Sequence, residues 1–207
     1  MTKSVFARLV EVPLSTISRI ESGKVDPTWA MLQKIIQRAG FAFDGALRDA
    51  GDDAVVARTV GKLRVGAAKV TVRDLPQTAN AAKVMRRTGA KTFALDGSIS
   101  DLLAQLKGLG QQPIVSALEA FAGDATTTRS FTPVVYVNDP EALNTVLPKR
   151  SASAATNVVI LPTTKNVTSN AVTQNGVQMV DREWALVDAL ASPGRQPEVA
   201  LGLIAAL

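Results

Sequence analysis

The sequence predicts an α+β protein that is mostly helical, and three observations lead to this prediction. Apolar residues recur at helical spacing through most of the chain before the strand-like runs begin. Two apolar, β-branched runs of strand length then follow, at 133–137 and 158–161. Hydrophobic residues make up 46% of the 207 residues, which is enough for a packed core. We therefore expect a small helical head over 1–43, a mostly helical, basic middle region over 44–130 and a small α/β domain over 131–207.

The head is predicted to contain three short helices. The first covers 4–11 and is interrupted at Pro13, because a proline disfavours the helical conformation of the residue before it. Ser15 is a suitable N-cap for a second helix that ends at Glu21. A third helix covers 29–38, where apolar residues again fall at helical spacing.

The rest of the chain shows a less regular pattern. In the middle region we predict helices at 54–63, 79–87, 99–106 and 114–121, and short strands at 69–72 and 92–95. In the last part we predict strands at 133–137, 158–161 and 177–180, helices at 182–191 and 197–206, and an exposed loop over 162–176. The helix at 182–191 is expected to bury one face, which carries Trp184, Leu186, Val187 and Leu190. Asp188 is expected to act as a cap or to pair with Arg195.

The composition excludes several kinds of site. The chain contains no cysteine and no histidine, so Cys/His zinc sites, cysteine nucleophiles and Ser-His-Asp triads are excluded. Gly61-Lys62 is followed by Leu63 and not by the Ser or Thr of a phosphate-binding loop. We interpret Asp52-Asp53 as acidic N-cap residues of the next helix and not as metal ligands. We therefore predict no catalytic residue, no metal site and no cofactor.

No sequence signal points to a membrane or to export. No apolar run approaches the roughly 20 residues that span a bilayer, and the first residues lack the apolar core of a signal peptide. We expect a cytoplasmic protein.

The first 40 residues carry the pattern of a helix-turn-helix. Ala7 is a small contact residue, and apolar residues occupy the packing positions Phe6, Val10, Val12, Ile17 and Ile20. The segment Thr16-Ile17-Ser18-Arg19-Ile20-Glu21-Ser22-Gly23, followed by Pro27-Thr28, resembles the signature of Cro/CI-type (Xre) repressors. The resemblance implies a DNA-binding head. The alternative is a helical hairpin that only packs on the rest of the protein.

The resemblance assigns DNA contacts to four residues. Ser15, Thr16 and Arg19 project from the recognition helix towards bases or phosphates, and Lys24 approaches the DNA backbone from the following loop. Glu11 stands where the family usually has glycine, and its charge is expected near the DNA. The family also has a further helix before this pair. We therefore expect a truncated head or a start farther upstream, and an N-terminally extended form that folds and binds DNA better.

The end of the chain resembles a second family. The run Gly176-Val177-Gln178-Met179-Val180-Asp181-Arg182-Glu183-Trp184-Ala185-Leu186-Val187-Asp188-Ala189-Leu190, then Ser192-Pro193-Gly194-Arg195, looks like the AbiEi antitoxins of type IV toxin–antitoxin systems. The similarity spans about 131–207. It implies a body that opposes a nucleotidyltransferase-like toxin and a DNA-binding head that controls its own operon; that head is usually winged, so an Xre-like head is a departure.

The net charge of +5 comes from one basic block. Residues 58–91 contain nine basic residues and a single acidic one, Asp74. A block of this kind suits nucleic acid or an acidic protein face, and the alternative is a solvated helix surface. The candidate contacts to toxin or nucleic acid are Arg58, Lys62, Arg64, Lys83, Arg86 and Arg87.

The sequence thus predicts an antitoxin that neutralises a nucleotidyltransferase-like toxin and represses its own operon. One alternative is a modifying antitoxin with atypical protein kinase-like activity on a toxin side chain, for which ATP would be needed. Another is a plain helix-turn-helix regulator whose body binds an effector or dimerises. The expected partners are the toxin, operator DNA and a second copy of the chain, since a homodimer places two heads on two half-sites.

Overall fold

A computed structural model describes residues 2–43, 47–49, 53–64, 75, 79, 82–95, 97–116, 132–148 and 157–206. These ranges contain eight α-helices, a two-stranded sheet and a six-stranded mixed sheet. The fold is therefore α+β and mostly helical, as the sequence predicts. The helices are α1 Lys3–Val10, α2 Leu14–Glu21, α3 Trp29–Arg38, α4 Ala54–Arg64, α5 Ile99–Gly108, α6 Lys165–Ser169, α7 Arg182–Leu190 and α8 Gln196–Ala205.

In the described ranges the strands form a two-stranded antiparallel sheet that follows α3 and one larger sheet. They are β1 Phe41–Phe43, β2 Leu47–Asp49, β3 Lys91–Ala94, β4 Ile114–Ser116, β5 Val134–Val137, β6 Asn157–Pro162, β7 Val172–Gln174 and β8 Val177–Met179. The larger sheet has the order β3-β6-β5-β4-β8-β7. The β5–β6 and β4–β8 pairs are parallel, and the other pairs are antiparallel.

Both faces of the large sheet are covered, because side chains of β5 alternate between two apolar clusters. Val134 and Tyr136 face the cluster that contains α4, α7 and α8. Val135 and Val137 face the cluster that contains α5. All four side chains are buried, so the sheet is the middle of three layers. We call this layered unit, with α4 to α8 and β3 to β8, the body.

The structure confirms the predicted helices of the head and corrects the start of the second. α2 begins at Leu14, with Pro13 at the N-cap position and no side-chain cap. Ser15 therefore does not cap the helix; it lies inside the first turn. The fixed φ of Pro13, −53°, suits this position, and the helix begins at Leu14, two residues earlier than a cap at Ser15 implies.

Two predictions in the body are wrong. Residues 114–116, expected to begin a helix, form the central strand β4 between β5 and β8. A short apolar run fits a buried strand and a buried helix equally well, so only the sheet decides between them. The expected loop over 162–176 contains α6 and β7, and β7 turns into β8 through Asn175-Gly176.

The remaining differences concern the middle region. Of the helix expected over 79–87, the described residues form a 3₁₀ turn at Val84–Arg86. The strand expected at 69–72 lies outside the described residues. Strands β3 and β4 belong to the same sheet as the later strands, so the boundary placed at 130 falls between two paired strands.

Candidate functional site

The helix-turn-helix of the head is built around a three-residue turn between α1 and α2. Glu11, the first residue of the turn, has a left-handed backbone with φ of 54°, and its N–H bonds to carbonyls of α1. This is the turn position where the resemblance expects glycine, which adopts a left-handed backbone without strain. Ala7, Val10, Val12 and Ile17 are buried against each other and fix the crossing of the two helices.

The predicted DNA-contacting residues lie on the outside of this motif. Ser15 and Arg19 are exposed and one helical turn apart on α2, so they share a face. Thr16 is half-buried beside them, and Lys24 is exposed in the loop after α2. Neither Arg19 nor Lys24 has an acidic partner among the residues that the structure describes.

A cation of α3 extends this surface and was not predicted from the sequence. A shallow groove between α2 and α3 is lined by Val12, Thr16, Met31 and Lys34, among others. Lys34 is exposed and is unpaired within the described ranges. The sequence signal was available, because Lys34 is the one charged residue inside the third predicted helix before its last turn.

Glu11 does not present a free charge to solvent. Its carboxylate lies 2.5 Å from Nζ of Lys62, 3.9 Å from Nε of Arg58 and 3.4 Å from Nη2 of Arg38. Arg38 also donates to the Val10 carbonyl at 2.9 Å. One carboxylate in the turn therefore gathers cations from α3 and α4. We call Glu11, Arg38, Arg58 and Lys62 the latch.

The basic block is distributed over several places. Arg58 and Lys62 belong to the latch, and Arg64 donates to the Asp181 carboxylate, with Nε at 3.1 Å. Arg87 is buried with Asp188, and its side chain is 8% exposed. Lys83 and Arg86 are exposed, without an acidic partner in the described part of the chain, and remain available to a ligand or partner.

A buried polar cluster lies inside the body, beneath α7. The Tyr136 hydroxyl accepts from Nε1 of Trp184 at 2.8 Å and from Nη1 of Arg87 at 3.0 Å, and donates to Asp188 at 2.9 Å. Nη1 of Arg87 lies 2.6 Å from Oδ1 of Asp188. Nε of Arg87 donates to the Ala82 carbonyl at 3.0 Å. The cluster ties β5, α7 and the segment around Arg87 together.

The environment of this cluster shifts two pKa values. Burial raises the pKa of Tyr136 well above its usual range, and the adjacent Asp188 carboxylate raises it further. Burial alone lowers the pKa of Arg87, but the charge and hydrogen bonds of Asp188 and Tyr136 outweigh it, so the pKa rises. At neutral pH the cluster thus holds a neutral phenol and a guanidinium cation, an arrangement suited to structure more than to proton transfer.

The structure corrects the predicted partner of Asp188. Asp188 is buried and pairs with Arg87, whereas Arg195 is largely exposed and lies near Glu198. The predicted burial of Trp184, Leu186, Val187 and Leu190 is confirmed. Every residue of α7 from Trp184 to Leu190 is buried, so the Asp188 carboxylate needs an internal partner. No sequence signal connected it to Arg87, which is 101 residues away.

Within the described ranges, no helix has the length and apolarity needed to cross a bilayer. The same residues contain no group of three acidic side chains placed to hold a metal ion. Asp53 caps α4, as predicted, by accepting from the backbone N–H of Val55 at 2.8 Å. Comparisons with family models, curated proteins and solved structures find no match.

Proposed function

We propose that this protein is a DNA-binding regulator that acts through the α1–α2 helix-turn-helix. The observation that carries the proposal is the combination of the buried crossing of α1 and α2 with an exposed α2 face that bears Ser15 and Arg19. Arginine donates two hydrogen bonds to a guanine edge, and hydroxyl groups bind phosphates. Lys24 and Lys34 flank this face and supply charge for the DNA backbone.

The test is binding to the DNA upstream of the protein's own reading frame, measured by fluorescence anisotropy. Arg19→Ala is expected to weaken binding by about 1–3 kcal/mol and to relax discrimination between base pairs at one position. The matched control is Lys107→Ala, an exposed cation on α5 in the body. Equal losses for the two variants, or no binding by the wild type, would exclude this interface.

We further propose that the body opposes a nucleotidyltransferase-like toxin. The support is the resemblance of 131–207 to AbiEi antitoxins. Trp184 and Asp188, which lie in the resembling segment, are internal, so we assign the toxin contacts to exposed residues, such as Lys83 and Arg86. The first experiment is growth after induction of the adjacent reading frame, with and without this protein. Arrest that co-expression does not relieve would leave the plain regulator as the proposed function.

The contact residues can be tested in the same growth assay. Lys83→Glu/Arg86→Glu is expected to abolish protection and to leave DNA binding intact, because both residues lie outside the head. Lys107→Glu is the matched control.

The modifying alternative is tested by the intact mass of the toxin after incubation with this protein and ATP. Lost toxicity at unchanged mass would exclude it in favour of non-covalent neutralisation.

A further inference from the structure

We infer that α4 couples the DNA-binding head to the body through the latch, which is centred on the Glu11 carboxylate. The proposal concerns the regulation of the head, and its DNA arm rests on the proposed function. α4 contacts the head through α1 and α3, and it contacts the body through α7.

The head side of α4 is electrostatic. Arg58 and Lys62 are one helical turn apart, and both reach the Glu11 carboxylate. Arg38, at the end of α3, pairs with the same carboxylate and donates to the carbonyl of Val10, the last residue of α1. The turn that sets the crossing of α1 and α2 is therefore bound to both α3 and α4 through the Glu11 carboxylate.

The body side of α4 is apolar and ends in an ion pair. Val56, Val60 and Leu63 are 1%, 1% and 4% exposed and belong to the same core cluster as α7. At the end of α4, Arg64 bonds Asp181, which is also the N-cap of α7. The first turn of α7 carries Trp184, whose indole N–H donates to Tyr136 of the buried cluster. A continuous set of contacts thus runs from the Glu11 turn to the centre of the body.

The two sides differ in strength, and this difference makes the latch the adjustable link. The apolar side is sealed from water, whereas the latch side chains are between 16% and 31% exposed. Partly exposed ion pairs are weaker than buried packing and are screened by salt. Nε of Arg58 is buried and makes no hydrogen bond, so the latch is imperfectly satisfied. A partner that moves α4 through the body would therefore change the contacts of the α1–α2 turn.

The two tryptophans of the chain allow the coupling to be measured. Trp29 is 52% exposed in the head, and Trp184 is 3% exposed in the body. A Trp29→Phe variant leaves Trp184 as the only indole, so its fluorescence reports unfolding of the body alone. Far-UV ellipticity reports all the helices, those of the head included.

The DNA-free arm tests the coupling without reference to function. In the Trp29→Phe background, fluorescence and ellipticity are expected to melt together, because coincident probes mark one cooperative unit. Adding Glu11→Gln, or Arg58→Met/Lys62→Met, is expected to give two steps in the ellipticity melting curve. The later step should coincide with the Trp184 fluorescence transition, which reports the body. Lys107→Met is the matched control and should keep one transition. Two transitions in the Trp29→Phe protein with an intact latch would overturn the inference. So would a single transition in both latch variants.

The DNA arm tests whether the head and body communicate when the head is occupied. Operator DNA at about 100 times its Kd is expected to raise the Trp184 melting temperature by roughly 5–10 °C. The latch variants should still bind the DNA by anisotropy but lose this shift. An unchanged shift in the latch variants would refute the coupling. Failure of the wild type to bind DNA would instead refute the proposed function and leave the DNA-free arm decisive.

Discussion

The Nη1 atom of Arg87 lies 2.6 Å from Oδ1 of Asp188, with side chains that are 8% and 2% exposed. This buried ion pair joins two parts of the chain that no sequence motif connects. Its neighbour Arg86 is exposed, although both arginines belong to the same basic block. Adjacent residues of like charge thus have opposite environments, and they should respond very differently to substitution.

Arg87→Met is expected to reduce the free energy of unfolding by about 3–5 kcal/mol, because it leaves the buried Asp188 carboxylate without its cation. Arg86→Met is expected to leave that free energy nearly unchanged. Urea unfolding followed by Trp184 fluorescence measures both. Similar midpoints for the two variants would show that the pair does not hold the body together.

The hydroxyl of Tyr136 is the centre of the buried cluster, and Tyr136→Phe removes it. Nε1 of Trp184 then has no acceptor, and Asp188 loses a donor. We expect a loss of about 1–3 kcal/mol in the free energy of unfolding, the usual effect of stranding buried polar groups. The substitution adds no volume, so a variant as stable as the wild type would mean that these hydrogen bonds contribute little.

The raised pKa of Tyr136 predicts a stability loss at high pH. The unfolded chain releases the phenolic proton near pH 10, while the folded chain retains it because burial and Asp188 oppose the phenolate. The contribution of the protonated Tyr136 to the free energy of unfolding is fully present below the pKa of the unfolded chain. It is lost as pH rises towards the pKa of the folded protein, at up to about 1.4 kcal/mol per pH unit. The chain has one tyrosine, so absorbance at alkaline pH reports it directly. Phenolate formation near pH 10 in the folded protein would contradict this prediction.

Two exposed glycines should respond in opposite directions to alanine. Gly176 has φ of +76° in the β7–β8 turn, and Gly202 lies within α8; a new Cβ meets no atom within 4 Å at either position. Gly176→Ala is expected to destabilise the protein by about 1–2 kcal/mol, because alanine is strained in the left-handed region. Gly202→Ala is expected to stabilise it by about 0.5–1 kcal/mol, through higher helix propensity. Thermal unfolding of the two variants shows whether the melting temperature falls for Gly176→Ala and rises for Gly202→Ala. Neither substitution removes or creates a side-chain contact, so the backbone effect is measured alone.

Lys24→Ala is expected to weaken binding to operator and to unrelated DNA by the same factor, because a phosphate contact carries no sequence information. The slope of the logarithm of the binding constant against the logarithm of the salt concentration should become shallower by about 1. Anisotropy titrations at several salt concentrations measure both quantities. A loss confined to the operator would place Lys24 at a base edge and not at the backbone.

The sequence by itself determined the local structure of the head and much of the body. Pro13 lies in the turn before α2, Thr28 caps α3, and Gly23, with φ of 68°, follows the end of α2, each through its own local preferences. The long apolar strands β5 and β6 were equally clear. These features depend on neighbours in the chain, so the sequence could predict them.

Tertiary structure decided what depends on residues far apart in the chain. Residues 114–116 become a strand because β5 and β8 bond to them, not because of their own preference. Arg58, Lys62 and Arg87 look alike in the sequence, but the first two meet Glu11 and the third meets Asp188. The sequence fixes how many charges there are. Only the fold brings an acid beside each of these bases, because it sets which charges lose water and must find a partner.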